Sequence, residues 1–314
     1  MICIEDCLLT DGSHTNIIIE DNYIQSLGKE RDRSDIIIDG KQKLVLPGFV
    51  NTHTHLAMTL LRGFGDDLPL QEWLETKVWP TEKNLTGEGA YYGSLLGLIE
   101  MVKSGTTCFV DMYFYCEEVA QAVEEVGIRG YLGSGIFDFP SPESETPFET
   151  AVSFIEEYKD KKGVVVPVVA PHALYTCSEE TFFRCLDLSE KYGLLFHTHV
   201  SETEREVKEF IDEKGMRPGD YLYEKGFLSE RFLAAHCVWL SEKELDRFGE
   251  TGVKISHNPV SNMKLAAGVM PLPDMMGRGI TVSLGTDGAS SNNSLDMMET
   301  MKVCALLHKV HAGN

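Results

Sequence analysis

Apolar positions along this chain follow two grammars that change at Pro47. Before it, β-branched runs such as Ile17-Ile18-Ile19 and Ile36-Ile37-Ile38 are short and bounded by turn residues at Asp11-Gly12 and Asp21-Asn22. That spacing predicts short strands forming a small antiparallel sheet over residues 1–46. Beyond Pro47, apolar β-branched runs alternate with longer stretches of helical period. Strands are predicted at Val45–His53, Thr106–Met112, Arg129–Phe137, Val164–Pro171, Leu194–His199, Phe232–His236, Val253–Ser256 and Thr281–Gly285. Helices are predicted at Gly89–Lys103, Cys116–Val126, Pro147–Lys159, Glu179–Lys191, Glu202–Glu213 and Ser241–Phe248, with a last one from Leu295 to the C-terminus. In the first of these, Leu95, Leu98, Ile99 and Val102 keep the i, i+3, i+4, i+7 spacing of a half-buried helix.

Repeated strand-then-helix units imply a parallel sheet covered by helices, and eight such units are the number at which the sheet closes on itself. The alternative, an open doubly wound sheet, usually carries a G-x-G-x-x-G turn after an early strand, and none follows one here. The predicted fold is therefore α/β: a (β/α)8 TIM-type barrel over residues 47–314 with a small N-terminal β domain over residues 1–46. Asp138–Glu149, acidic and proline-rich, reads as a surface loop.

Composition narrows the partners. Among 314 residues, Lys and Arg total 28 against 49 Asp and Glu, a formal charge of −21. Such acidity repels phosphate backbones and anionic lipid, so nucleic-acid and membrane partners are disfavoured. No apolar run approaches the ~18–20 residues that span a bilayer, and the first residues lack the basic patch of an export signal. The eight cysteines form no C-x-x-C, and Cys108 and Cys237 sit in apolar runs as small hydrophobes. A reducing cytoplasm is the expected compartment.

Of ten histidines, seven fall at or just past the end of a predicted barrel strand: His53, His55, His172, His197, His199, His236 and His257. Asp287 ends the last strand in the same way. In a TIM barrel that face carries the active site. His53-Thr54-His55 and His197-Thr198-His199 are H-x-H at strand ends, and alternation turns both imidazoles of a pair to one side. That suits a first-row metal, or else a hydrogen-bonded polar pair at the barrel mouth. Glu202, a short step past His199, is placed for acid–base work beside a metal, or is a surface acid opening a helix. His236 after an apolar strand reads equally as structural. Asp287, flanked by Gly285 and Gly288, is either aimed inward or caps the next helix. Taken together, the set matches a His-and-carboxylate metal site with an open position.

Leu46-Pro47-Gly48-Phe49-Val50-Asn51-Thr52-His53-Thr54-His55 resembles the opening metal motif of the amidohydrolase superfamily, and the order His172, His199 with Glu202, His236, Gly285-Thr286-Asp287-Gly288 resembles its mononuclear deaminase branch. Trp79-Pro80-Thr81-Glu82, Ala170-Pro171-His172-Ala173-Leu174-Tyr175-Thr176 and Ser290-Ser291-Asn292-Asn293 resemble the S-adenosylhomocysteine / 5'-methylthioadenosine / 5'-deoxyadenosine deaminases. The resemblance covers essentially the whole chain. It implies hydrolytic deamination of an adenosine-type nucleoside to the inosine analogue and ammonia, with one divalent metal ion, zinc in most members and iron as the alternative. It implies that His53, His55, His199 and Asp287 hold that ion, that Glu202 protonates N1 of the adenine, that His236 helps deprotonate the attacking water, and that Asp287 passes the proton to the leaving amine. Glu82 and His172 would hold the ribose hydroxyls, Ser291 would support the site near Asp287, and Trp73 would line the pocket. His197 is outside the family's ligand pattern and is given a supporting or packing role; the role of His257 stays open, as does a homo-oligomer.

Two departures bear on this expectation. Family members carry a further C-terminal stretch returning to the small β domain, whereas this sequence stops at Asn314, so the small domain would rest on residues 1–46. No arginine occurs between Arg129 and Arg184, so the amino-acid tail of S-adenosylhomocysteine lacks a bidentate partner there, which favours 5'-deoxyadenosine, 5'-methylthioadenosine or adenosine unless a neighbouring subunit supplies one. Alternatives are another hydrolase of the same superfamily, such as a guanine or triazine deaminase or a chlorohydrolase, and a non-catalytic metal-binding protein.

Overall fold

The computed structural model describes residues 1–28 and 34–313; residues 29–33, within the predicted N-terminal sheet domain, and Asn314, at the end of the predicted last helix, lie outside the described residues. The chain divides into two compact units, Met1–Gly48 and Phe49–Asn314.

In the first unit, β1 (Ile2–Leu8), β2 (His14–Glu20), β3 (Tyr23–Gly28) and β4 (Ile36–Asp39) form one sheet in the order β3-β2-β1-β4. The turns at Asp11-Gly12 and Asp21-Asn22 make β1–β2–β3 an antiparallel meander. The expected all-antiparallel sheet is not what forms: β4 pairs parallel to β1, Ile2 opposite Ile36. Pairing there satisfies the backbone groups on the outer edge of β1, and residue pattern carries no information about which edge, or which direction, a strand takes. Cys3, Cys7, Ile17 and Ile18 are buried, while Ile36, Ile37 and Ile38 are exposed.

The second unit is built on parallel strands: β5 (Phe49–Thr54), β6 (Thr106–Tyr113), β7 (Arg129–Ile136), β8 (Val165–Pro167), β9 (Ala170–Pro171), β10 (Phe196–Val200), β11 (Phe232–His236), β12 (Lys254–His257) and β13 (Thr281–Leu284). They run as β5-β6-β7-β8, with β9 also on β7, and as β10-β11-β12-β13. The predicted strand Val164–Pro171 is split, because Pro167 has no N–H to give to the ladder. Parallel bridges Val169–Phe196 and Ala173–His199 link the two runs. At the other margin, the Asp287 N–H donates to the His53 carbonyl at 3.0 Å. The Asn51 amide donates to Thr286 Oγ1 at 2.7 Å and its oxygen accepts the Thr286 N–H at 2.9 Å.

Helices lie between these strands close to their expected places, and their ends show why. Side chains of Thr86, Ser178, Thr203, Ser241 and Asp296 accept N–H groups of the first turns, and Gly127, Gly193, Gly215 and Gly252 close helices in the left-handed conformation. One cap moves a candidate residue. The helix expected from Glu202 begins at Glu204, because the Thr203 hydroxyl caps it. Glu202 is thereby left on the strand-to-helix turn, 5 % exposed rather than on a solvated helix face.

Helix Gly87–Lys103 corrects the expected stripe: Ile99 and Val102 are exposed, and the buried face is Ala90, Gly93, Ser94, Gly97, Leu98 and Met101. Small residues there admit the turn Leu56–Leu61 that follows β5; a Cβ on Gly93 would lie 2.8 Å from the Ala57 carbonyl. A similar close approach occurs inside the sheet, where a Cβ on Gly133 would sit 2.5 Å from that of Ala170. Both atoms are fixed to backbone, so Gly133→Ala is expected to lower stability by about 1–3 kcal/mol, read as a fall in the denaturant midpoint at unchanged m-value. Among the described residues, no helix is long and apolar enough to cross a membrane.

Candidate metal and catalytic site

The C-terminal ends of the strands β5, β9, β10, β11 and β13 bring the predicted site residues together around a cavity of about 870 Å³, whose lining includes His55, His172, His199, Glu202, His236 and Asp287. Left-handed backbone at Ser201 (φ 49°), His236 (φ 71°) and Asp287 (φ 62°) turns the chain sharply where strands β10, β11 and β13 end. These residues are held in a conformation non-glycine residues seldom adopt, as often occurs where side chains must be aimed.

Hydrogen bonds to carbonyl oxygens fix the protons on the imidazoles. His199 Nδ1 donates to the His172 carbonyl at 2.7 Å, and His55 Nδ1 donates to the Met112 carbonyl at 2.5 Å. His197, buried in β10, donates from Nδ1 to the Leu233 carbonyl at 2.9 Å. Its Nε2 is then an acceptor, and it receives His53 Nδ1–H at 2.8 Å. His53 is left with a bare Nε2, fully buried and without a hydrogen-bond partner. His53 and His199 thus each present an Nε2 lone pair on the side away from the anchoring bond, and His55 Nε2 is turned the same way, toward Asp287.

Asp287 completes the arrangement. Its Oδ1 is 3.4 Å from His53 Nε2 and 3.2 Å from His55 Nε2. The Gly288 N–H donates to the same oxygen at 2.8 Å, and Ser261 Oγ donates to Oδ2 at 2.7 Å. Burial opposes ionisation of Asp287, yet the His53 and His55 contacts hold its carboxyl well below the usual range. Burial also works against a charge on His55, but Asp287 and the Met112 carbonyl raise it to about 9. His53 and His199 are pushed well below the ordinary histidine value by burial. Potential ligand atoms of His53, His199 and His236 lie within 4.8 Å of one another, as do those of His53, His55 and Asp287.

His236 Nδ1 donates to Asn262 Oδ1 at 2.8 Å, so Nε2 is a free base, 3.8 Å from Asp287 Oδ2. Burial lowers its proton affinity. Glu202 is buried beside it, Oε1 3.5 Å from His236 Nδ1. Burial first, then the neighbouring carboxylates of Asp287 and Glu206, raise Glu202 well above the ordinary carboxyl value, so it is held as a neutral acid able to donate a proton. Glu206 accepts the N–H groups of Ser201 and Glu202 at 3.0 and 2.7 Å, which fixes the turn that carries Glu202.

Farther out, Glu82 is 6 % exposed and accepts the Tyr113 hydroxyl at 2.7 Å; burial raises its carboxyl. His172 Nδ1 lies 2.9 Å from Thr176 Oγ1, and Trp73 and Ser291 line the cavity. The hydroxyl that reaches Asp287 belongs to Ser261, whereas Ser291 Oγ donates to the Gly288 carbonyl at 3.1 Å. Ser261, Asn262, Tyr113 and Glu206 were not singled out by sequence. Their one available cue was proximity to strand ends, in Ser256-His257-Asn258-Pro259-Val260-Ser261-Asn262 and just beyond Met112. The segment Asp138–Glu149 is not simply surface: Phe139, Ser141 and Pro142 line the cavity, and Glu143 accepts the Tyr115 N–H at 2.7 Å, burial raising it to about 7. Arg205 also lines the cavity, its Nε donating to Glu209 at 2.7 Å. His257 lies elsewhere, paired with His308.

Comparison with known proteins places this geometry. A sequence model of the Amidohydrolase family matches residues 44–314. The chain is 49 % identical over 300 residues to a 5'-deoxyadenosine deaminase of Methanothermobacter thermautotrophicus, covering 94 % of this chain and 70 % of that one. It is 48 % identical over 299 residues to a 5-methylthioadenosine/S-adenosylhomocysteine deaminase of Aquifex aeolicus, covering 94 % and 69 %. Among solved structures, an adenosine deaminase from Xanthomonas campestris with bound zinc superposes with a TM-score of 0.94 at 31 % identity, over all of this chain and 75 % of the other.

Proposed function

Because the chain belongs to the amidohydrolase family, we propose that it is a metal-dependent aminohydrolase that removes the 6-amino group of adenosine-type nucleosides, giving the inosine analogue and ammonia. It is a hydrolase of C–N bonds in cyclic amidines. The observation that carries the reading is the hydrogen-bonded relay Leu233 carbonyl–His197–His53, which leaves His53 with an unpartnered, buried lone pair among imidazoles and a carboxylate. An uncompensated buried nitrogen of this kind fits a cation, and three imidazoles with one carboxylate suit zinc better than a hard ion such as magnesium. His53, His55, His199 and Asp287 would hold one such ion, and His55 would give up its Nε2 proton on binding it. A bound divalent ion lowers the pKa of water to about 7 and so makes hydroxide available at neutral pH.

The remaining steps belong to side chains. The free Nε2 of His236 accepts a proton from the attacking water, its other nitrogen locked by Asn262. Glu202, held neutral, donates to N1 of the adenine, which makes C6 electrophilic. Asp287 carries the proton taken from water to the amino nitrogen, whose bond to C6 breaks to release ammonia, and the proton left on the C6 hydroxyl returns to Glu202 as the carbonyl forms. The buried carboxyl of Glu82 and the ring of His172 hold the ribose hydroxyls, and Trp73 lines the pocket. The 5' substituent would meet an apolar wall that includes Leu70, Phe137 and Phe139. This favours 5'-deoxyadenosine, 5'-methylthioadenosine and adenosine, because those apolar side chains offer a tail carboxylate no bidentate cation. The bridges and bonds at both sheet margins support a closed (β/α)8 barrel from residue 47 as the scaffold, with residues 1–46 a separate small β domain. Eight free, buried cysteines support a reducing, cytoplasmic setting.

The test is to incubate the zinc-loaded protein with a panel of 5'-substituted adenosines and follow the ultraviolet change from adenine to hypoxanthine; no change with any of them overturns the reading. Glu82→Ala is expected to lower kcat/KM for nucleosides roughly 10–100-fold, the worth of a charged hydrogen bond, with little effect on free adenine. Equal loss on both would instead indicate a base-only hydrolase such as a guanine or triazine deaminase. His197→Phe leaves His53 Nδ1 without its acceptor and should weaken zinc affinity about 10–100-fold, measured by competition with a chromophoric chelator.

A further inference from the structure

A second cluster of metal-binding side chains lies apart from the cavity. The strand β12 ends on His257, and the helix Met297–Ala312 presents Cys304 and His308 one turn apart toward it. All three are buried, at 0, 8 and 8 % exposure. One ligand atom from each can be chosen so that all lie within 4.8 Å of one another. The two rings meet through their Nε2 atoms at 2.9 Å, and both Nδ1 atoms are buried without a partner. A hydrogen bond between two neutral imidazoles uses a proton on one Nε2 only and gives the adjacent thiol no task, whereas a cation shared by both Nε2 atoms engages all three side chains, each Nδ1 then carrying its ring's proton.

We propose that His257, Cys304 and His308 form a second, structural metal site for a zinc-like divalent cation. Two imidazoles and a thiolate are the donors such ions prefer. Tetrahedral zinc with nitrogens at about 2.0–2.1 Å separates two of them by about 3.3 Å, a few tenths from the observed spacing, and leaves a fourth position for solvent. Binding replaces the Cys304 S–H bond with a sulfur–metal bond and releases one proton to solvent. No oxidant or reductant takes part.

The position gives the site a purpose. The turn after β12 leads into the helix Pro259–Lys264, which supplies Ser261 to Asp287 and Asn262 to His236. That helix packs on Met297–Ala312. A cation joining His257 to Cys304 and His308 would fasten the last helix to the strand from which those two supports spring.

Cobalt tests this without reference to turnover, because the cavity cluster contains no cysteine. The protein, stripped and reloaded with Co²⁺, is expected to hold two ions per chain and to show a near-ultraviolet thiolate-to-cobalt charge-transfer band. Cys304→Ser should abolish the band and remove one ion while nucleoside deamination persists; Cys304→Ala and His308→Gln repeat the measurement should serine perturb folding. One ion per chain with no band in the wild-type protein means a hydrogen-bonded pair only and overturns the proposal. A band that survives both cysteine substitutions overturns it as well. A protein with the band but without deaminase activity would leave this site standing and remove the reading of the cavity, on which it does not depend.

Discussion

Glu202→Gln is expected to lower kcat for nucleoside deamination by about 10²–10⁴-fold, the usual worth of a positioned proton donor, while zinc content stays at the wild-type value. The amide is nearly isosteric and keeps hydrogen-bonding capacity, but it cannot deliver a proton to N1. The wild-type carboxyl has a proton to give, because burial and the facing carboxylates of Asp287 and Glu206 raise it well above the ordinary carboxyl value. Glu206 keeps the turn in place through the backbone N–H groups of Ser201 and Glu202, so the substitution should not move the chain. Single-turnover measurements with bound nucleoside isolate the chemical step. A rise in KM at unchanged kcat would mean that Glu202 only binds substrate, and no change in either would remove it from the mechanism.

Removing the metal should have a comparable effect on rate and a separate effect on stability. Without the ion, water near the cavity keeps its ordinary pKa of about 15.7, and His236, whose basicity burial weakens, is too poor a base to compensate. Dialysis against a strong chelator is expected to abolish ammonia release, and one equivalent of zinc in the cavity to restore it. Stability responds by mass action: an ion present at about 100 times its dissociation constant adds about 2.7 kcal/mol to the folded state, so the thermal midpoint should fall on chelation and recover with zinc. His199→Ala should reproduce the loss of activity and show no recovery at zinc concentrations that saturate the wild type. Full activity in metal-free protein would overturn the assignment.

Much of the layout could be read from residue order. Period-two alternation puts His53 with His55, and His197 with His199, on shared sides of their strands, and β-branched runs locate β5 to β13 within a few residues. What alternation cannot give is the task of each nitrogen. His197 is a relay because a carbonyl of the next strand, Leu233, lies opposite it, a fact of register. Ser261 and Asn262 reach Asp287 and His236 from the helix that follows β12, so their roles exist only once strands β11 to β13 are side by side. The direction of β4 escaped for a similar reason, since a run of isoleucines specifies a strand but not its neighbour. Ile99 and Val102 misled because the helix packs Gly93 and Gly97 against the turn Leu56–Leu61, and packing by small residues shifts the buried face away from the apparent hydrophobic stripe. The acidic, proline-rich segment after β7 looked solvated by composition, yet Glu143 is drawn inward by the Tyr115 N–H.

The seam between β5 and β13 joins partners 235 residues apart in sequence, Asn51 and Thr286, and the same seam sets Asp287 against His53. On the ribosome, therefore, the His53–Asp287 pairing cannot form until residue 287 has emerged, and so distant a contact is slow to close. Until that step, the early histidine pair has no carboxylate beside it, and translation itself delays the first turnover.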